Sequence, residues 1–365
     1  MNEKYARLLV NYCLGVKKHD NVYITSSYLA EDLVREVARE VYKAGGIPLV
    51  NVEMRGIAEL ALMHGEEHQL AWVNPVRKHI FENFDCYLNI RAPFERGDDE
   101  KEPADPEKFK IHQKAQQEIN RIYFERTGNG SMRRSLCQYP TQAAADDAHM
   151  TLEDYQKFVY QSCYLNTEDP VAQWLEVRKT QQAYVDRLNK ADKVEYKGPN
   201  IDISFSVKGR TWINSDGRAN MPSGEVFSAP VEDSVNGKVY FSYPTIYMGR
   251  DVVGITLEVK DGEIVSWHAE EGQEVLDKVF SIEGARKWGE VAVGCNYNIQ
   301  RITRNILFDE KIGGSIHMAV GQSYKQCGGK NESTVHWDMI TDMRAGGEIW
   351  ADGEKIYENG YFIIG

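Results

Sequence analysis

Near residues 190–195 the hydrophobic pattern of the chain changes its period. Before that point, apolar residues at helical spacing (Leu8, Leu9, Tyr12 and Val16, then Leu33, Val34, Val37, Ala38 and Val41) alternate with short β-like runs at 21–25, 47–52 and 85–91. The run at 47–52 reads as a buried strand. Further helices are expected over 57–83, 107–121 and 171–190, with a strand at 135–140, a charged loop at 97–106, and a capped helix start at Thr151. After residue 195 the runs 194–196, 201–207, 239–243 and 252–259 are all β-like, with turns at Lys197-Gly198-Pro199 and Asp261-Gly262. A chain of 365 residues exceeds one ordinary core. The pattern therefore predicts an α/β N-terminal domain over 1–192, followed by an α+β, β-rich, metal-binding C-terminal domain over 193–365.

Charge and cysteine usage narrow the partners. Acidic residues outnumber basic ones 55 to 43, for a formal charge of −12, and no clustered basic face is visible, so no nucleic-acid partner is expected. The six cysteines (13, 86, 137, 163, 295 and 327) form no C-x-x-C pair and read as buried thiols. No apolar run reaches the ~18 residues of a membrane span and no charged-then-apolar leader opens the chain, so a cytoplasmic location without membrane contact is expected. Gly45-Gly46 follows a helix and reads as its C-cap. Gly328-Gly329-Lys330 has Tyr324 and Asn331 where a phosphate loop needs Gly and Ser or Thr. A nucleotide-binding reading of the first domain is weakened accordingly.

The stretch 220–230, Asn-Met-Pro-Ser-Gly-Glu-Val-Phe-Ser-Ala-Pro, sets one carboxylate in a tight turn. Pro222 fixes its own φ, Gly224 permits a close or left-handed approach, and Val226-Phe227 resumes a strand, so Glu225 falls at a strand's mouth. Downstream come Glu290 in Gly289-Glu290-Val291, Glu310 in Asp309-Glu310-Lys311, His317 in Ile316-His317-Met318, and the pair His336-Trp337-Asp338. Imidazole and carboxylate suit a borderline divalent ion such as zinc or cobalt, and His-x-Asp puts both side chains on one face of a strand. Six such groups would suit two ions. Each also has a plainer reading: His317 as a satisfied core histidine, Glu290 as a helix-end charge, Glu225 as a hairpin acid, and His336 with Asp338 as a surface pair.

These segments, with Asn305 to His317 read as a whole and Tyr5 to Val10 near the start, resemble the thermophilic-type metalloaminopeptidases, the family of aminopeptidases T and S, over nearly the whole chain. The resemblance implies two divalent metal ions per subunit, zinc or cobalt, a two-domain subunit and a homodimer. Carried over, Glu225, Glu290, His317, His336 and Asp338 match ligand positions and Tyr324 matches an active-site tyrosine. Glu310 is the sixth implied ligand, with Asp309 as its alternate because the loop to His317 reads as slightly longer here.

The implied chemistry is hydrolysis of a peptide bond beside a free amine, with short peptides bearing a free N-terminus as substrates. Glu290 is expected as a bridging or water-facing acid and Tyr324 as donor to the developing oxyanion. Two rivals use the same ligands. Another dinuclear hydrolase, such as a phosphoesterase, would want Arg or Lys near them, and these segments are poor in both. A divergent metal-binding relative without peptidase activity is the other.

Overall fold

The structure, a computed structural model, describes residues 1–95, 105–247 and 249–363. The loop expected at 97–106 falls almost wholly outside them. The chain divides into two compact units, the first made of Met1–Val171 with Gly217–Pro222, the second of Ala172–Asp216 with Ser223–Gly365.

In the first unit, β1 (Asn21–Ser27), β2 (Ile47–Glu53), β3 (Cys86–Arg91) and β4 (Arg133–Gln138) form a parallel sheet in the order β2-β1-β3-β4, extended by the short strand Asn220–Met221. The helix Glu31–Lys43 joins β1 to β2 and buries Leu33, Val34, Val37 and Val41, the stripe its spacing predicts. It ends as its glycines require. Gly45 adopts φ +83°, its N–H bonds the Tyr42 carbonyl, and that of Gly46 bonds the Val41 carbonyl.

One expectation is corrected here. β2 is an edge strand, not a buried one, and Ile47, Leu49, Val50 and Val52 are exposed. A short apolar run has the same composition at an edge as in a centre, and Pro48, which has no N–H for a further neighbour, was the mark of the edge. The helix expected over 57–83 is three helices, Ile57–His64, Glu67–Leu70 and Pro75–Asn83. Asn74 starts the last by accepting from the Val76 and Arg77 N–H groups.

The second unit is antiparallel and β-rich. An eight-stranded sheet runs in the order Glu263–His268, Ile255–Lys260, Asn236–Phe241, Ile201–Ser206, Lys193–Gly198, Glu348–Ala351, Glu354–Glu358, Tyr361–Phe362. A five-stranded sheet holds β5 (Ile213–Ser215), β6 (Glu225–Ser228), β7 (Trp288–Gly294), β8 (Ser315–Gly321) and β9 (His336–Asp342) in the order β9-β8-β7-β6-β5. The change of period at 190–195 marks where the strands begin, whereas the compact unit begins one helix earlier. Val185 and Leu188, on the helix Pro170–Leu188, are buried in the same core as the strands.

The five-stranded sheet has two unlike faces. Val226, Val291, Val293, Ile316, Met318, Val320, Trp337 and Met339 enter the main core, each side chain of this size contributing about 1.5–3 kcal/mol on burial. The alternate positions form the other face. All six cysteines are buried and outside any disulfide among the described residues, where no helix is long and apolar enough to cross a membrane.

Candidate functional site

Register decides which side chains share that second face. Gly294 lies opposite Glu225, Ala292 opposite both Phe227 and His317, and Ala319 opposite both Glu290 and Asp338, while Gly321 lies opposite His336. Residues directly opposite one another point to the same side of a sheet, so Glu225, Glu290, His317, His336 and Asp338 share one face, interleaved with small residues that leave room between them. A register shift between Trp288 and Glu290 sets the acid opposite Ala319.

The turn before β6 is held from several sides. Gly224 has φ +114°, and a Cβ there would come within 2.8 Å of the Asn296 Cβ, so the position has room only for glycine. Asn296 Nδ2 donates to the Ser223 carbonyl at 2.9 Å and the Cys295 N–H to the Gly224 carbonyl at 2.7 Å. Gln181 Nε2 donates to the Glu225 carbonyl at 3.2 Å.

The five side chains form a chain of close approaches. His317 Nε2 lies 3.6 Å from Glu225 Oε2 and 3.6 Å from Glu290 Oε1, and His336 Nε2 lies 3.3 Å from Glu290 Oε2 and 3.6 Å from Asp338 Oδ1. Glu290 thus turns one oxygen to each histidine. Donor atoms of Glu290, His317 and Asp338 lie within 4.8 Å of one another, close enough for one ion. His336 Nδ1 approaches the Gln322 carbonyl at 2.8 Å, which assigns the proton of the neutral ring to Nδ1 and leaves the Nε2 lone pair turned toward the carboxylates.

Glu310 and Asp309 separate clearly. Asp309 accepts from the Thr303 N–H and hydroxyl, both at 2.8 Å, and is spent on its own loop. Glu310 pairs instead with Lys311, whose fully buried Nζ also lies 3.5 Å from Glu225 Oε1. Tyr324 is 39% exposed, with its ring against Phe227 and its hydroxyl 3.5 Å from His336 Nε2.

Burial pushes the Glu225 carboxyl up to about 7, with Lys311 opposing and Glu310 adding to the rise. Burial raises Asp338 to about 6. For Glu290 burial acts the same way, but hydrogen bonds from His317 and His336 overcome it and hold the group at about 2. Burial would lower both histidines, but the Glu290 carboxylate overcomes it and lifts His317 to about 9 and, with Asp338, His336 to about 10. Burial also opposes the Lys311 charge, which Glu225 and Glu310 hold above the ordinary lysine range.

The donors fit divalent cations. Glu225 Oε2, His317 Nδ1 and Asp338 Oδ1 are buried without a hydrogen-bond partner among the described residues. The lysine reaches only Glu225 and Glu310 of the four carboxylates, and an imidazole whose other nitrogen is committed to a carbonyl directs Nε2 at the other two, Glu290 and Asp338.

A family model for the thermophilic metalloproteases, M29, matches residues 1–362. The chain belongs to that family. Aminopeptidase 2 of Geobacillus stearothermophilus is 26% identical over 98% of this chain and 96% of its own length. Aminopeptidase AmpS of Bacillus subtilis is 27% identical over 98% and 97%. Aminopeptidase T of Thermus thermophilus is 27% identical over 98% and 95%. The solved structure of wild-type AmpT from Thermus thermophilus shares the fold, with a TM-score of 0.83 at 23% identity over 100% of this chain and 99% of that one. The family resemblance read from the sequence is therefore correct, and this M29 protein is a metal-dependent peptidase.

Sequence reasoning missed Lys311, Gln181 and Asn296. Lys311 had a signal, a lone cation beside Glu310 in a segment otherwise apolar and glycine-rich. Gln181 had none, since it acts from a polar helix some forty residues before the carbonyl it holds.

Proposed function

We propose that this M29 metalloprotease is an aminopeptidase that releases N-terminal residues from short peptides at a pair of divalent ions, zinc or cobalt. The observation that carries the reading is the division of the Glu290 carboxylate, with one oxygen toward His317 and the other toward His336. That division suits two half-sites sharing one acid, one with Glu225 and His317 and the other with His336, and Asp338 stands within reach of both, 3.6 Å from His336 Nε2 and with a donor atom within 4.8 Å of those of Glu290 and His317. The names of the relatives, aminopeptidases over nearly their whole length, point the same way.

When bound, such ions supply Lewis acidity toward the scissile carbonyl and lower the pKa of a water. The chain's own residues do the rest. Glu290 joins the half-sites and faces the water, Glu310 adds a sixth carboxylate or imidazole to the set, and Lys311 holds Glu310 and Glu225 in place. Tyr324 donates its hydroxyl to the carbonyl oxygen as charge develops there. The acidic surroundings suit the free α-amine of a peptide. A homodimer belongs to the same reading, and so does a cytoplasmic location, in keeping with six cysteines outside any disulfide among the described residues.

Metal analysis of protein purified without chelator, with a panel of free-amine and N-acetylated peptides, tests the proposal. Two ions per chain, loss of cleavage on chelation, recovery with zinc or cobalt, and inert acetylated peptides are expected. Cleavage undiminished after complete metal removal refutes the metal chemistry, equal rates on acetylated peptides refute the amine requirement, and two bound ions with no cleavage of any peptide favour a metal-binding relative without activity.

A further inference from the structure

The first unit carries a cavity of about 350 Å³ on one face of its parallel sheet, remote in sequence from every residue of the metal site. Tyr23 pairs in register with Leu49 and with Tyr87, and Thr25 with Asn51, so these side chains share the face that the helix Pro75–Asn83 covers. The helix packs Ile80 and Phe81 onto Tyr23 and leaves the face of β2 open beside it. Tyr23 and Tyr87 stack at 5.6 Å and form an aromatic wall.

Groups of both charges stand around that wall with bonding capacity to spare. Arg77 lies over the Phe81 ring, 5.6 Å from its centroid, within the range of cation–π contacts, and donates from one nitrogen to Gln116 Oε1 at 3.1 Å. Its other nitrogens make no hydrogen bond among the described residues. The Asn74 Oδ1 is used in capping the helix, while its amide N–H groups make no hydrogen bond among the described residues. Glu53, at the end of β2, has neither an ion pair nor a side-chain hydrogen bond among the described residues, and no ion pair joins it to Arg77. Yet both act on the same phenol: burial and Tyr87 raise the Tyr23 pKa, Arg77 lowers it and Glu53 raises it. The Tyr87 hydroxyl is taken by Thr25 and Asn89, whereas that of Tyr23 makes no hydrogen bond among the described residues.

We propose that this cavity binds a small zwitterion, a free α-amino acid with an apolar side chain, its carboxylate on Arg77 and Asn74, its ammonium on Glu53, and its side chain against Leu49 and the Tyr23 ring. A guanidinium recognises a carboxylate by paired hydrogen bonds, and a carboxylate receives an ammonium. The volume lies at the lower end of that found for small-molecule sites, which excludes a long peptide. The inference stands on the first unit alone and does not depend on the peptidase reading.

Calorimetric titration of the full-length protein with L-leucine tests it, with N-acetyl-leucine and leucinamide as probes that each lack one charge. L-Leucine should bind saturably, and each analogue at least tenfold more weakly. Arg77→Met and Glu53→Gln, both at exposed positions, should each weaken L-leucine at least tenfold with unchanged melting temperature. Absence of binding by the unaltered protein overturns the proposal. So does binding that survives both substitutions, which would place the ligand elsewhere, and so does loss in only one variant, which would mean a singly charged ligand.

Discussion

Replacing Lys311 by Met removes a fully buried ammonium that faces Glu225 and Glu310. Methionine keeps the length of the side chain, so the loss is chiefly one of charge. Taking away one partner of a buried ion pair costs about 3–5 kcal/mol, because the remaining charge stays out of water without compensation. The lower end applies here, since His317 also approaches Glu225, at 3.6 Å. For a domain of roughly 150–250 residues each kcal/mol moves the melting temperature by about 2–4 °C, so metal-free Lys311→Met should melt about 6–12 °C below the parent. The penalty should depend on pH. Glu225 already titrates at about 7, and without Lys311 its pKa rises further. Below that value Glu225 is protonated and needs no cation, so its share of the loss falls away near pH 5 and the total grows as pH rises toward 9. Scanning calorimetry of chelated protein at several pH values reads the effect directly, and the double variant with Glu225→Gln should recover part of the loss. A fall below about 2 °C at pH 9, or a loss that does not grow with pH, would refute the reasoning.

Other outcomes follow from the same geometry. Glu225→Gln and His317→Ala should lower metal content and cleavage together, as measured by elemental analysis beside kinetics, and normal stoichiometry in both would remove them as ligands. Tyr324→Phe should lower kcat roughly a hundredfold with metal content and KM little changed, and a near-parental rate would leave Tyr324 a packing residue. In metal-free protein His317 and His336 titrate at about 9 and 10, so both carry protons at pH 7 that a ligated ion must displace. Metal uptake should therefore release about two protons, and apparent affinity should rise with pH. Titrations in buffers of different ionisation enthalpy count those protons, and a count near zero would contradict the assignment.

Much of the second unit could be read from the chain because its strands alternate. His336-x-Asp338 declared a shared face, and Gly224 beside Glu225 declared a turn permitting a close or left-handed approach. The edge position of β2 was overlooked, since an apolar run does not reveal how many neighbours it has and Pro48 alone marked it. The division between Glu310 and Asp309 was hidden as well, for it depends on Thr303 claiming one of them. Lys311 was passed over because a lysine in a sequence ordinarily belongs to the surface, and only assembled carboxylates hold one inside.

The two-faced sheet constrains how such a protein can diverge. In β6 to β9 neighbouring residues serve opposite masters: Ile316 and Met318 fill the core while His317 between them belongs to the site. Substitution can alter one role at a time, but deletion of one residue in β8 inverts the strand, presenting a hydrophobe to the ions and an imidazole to the core. Insertions and deletions should consequently be survivable only in the connections, while these strands hold their length.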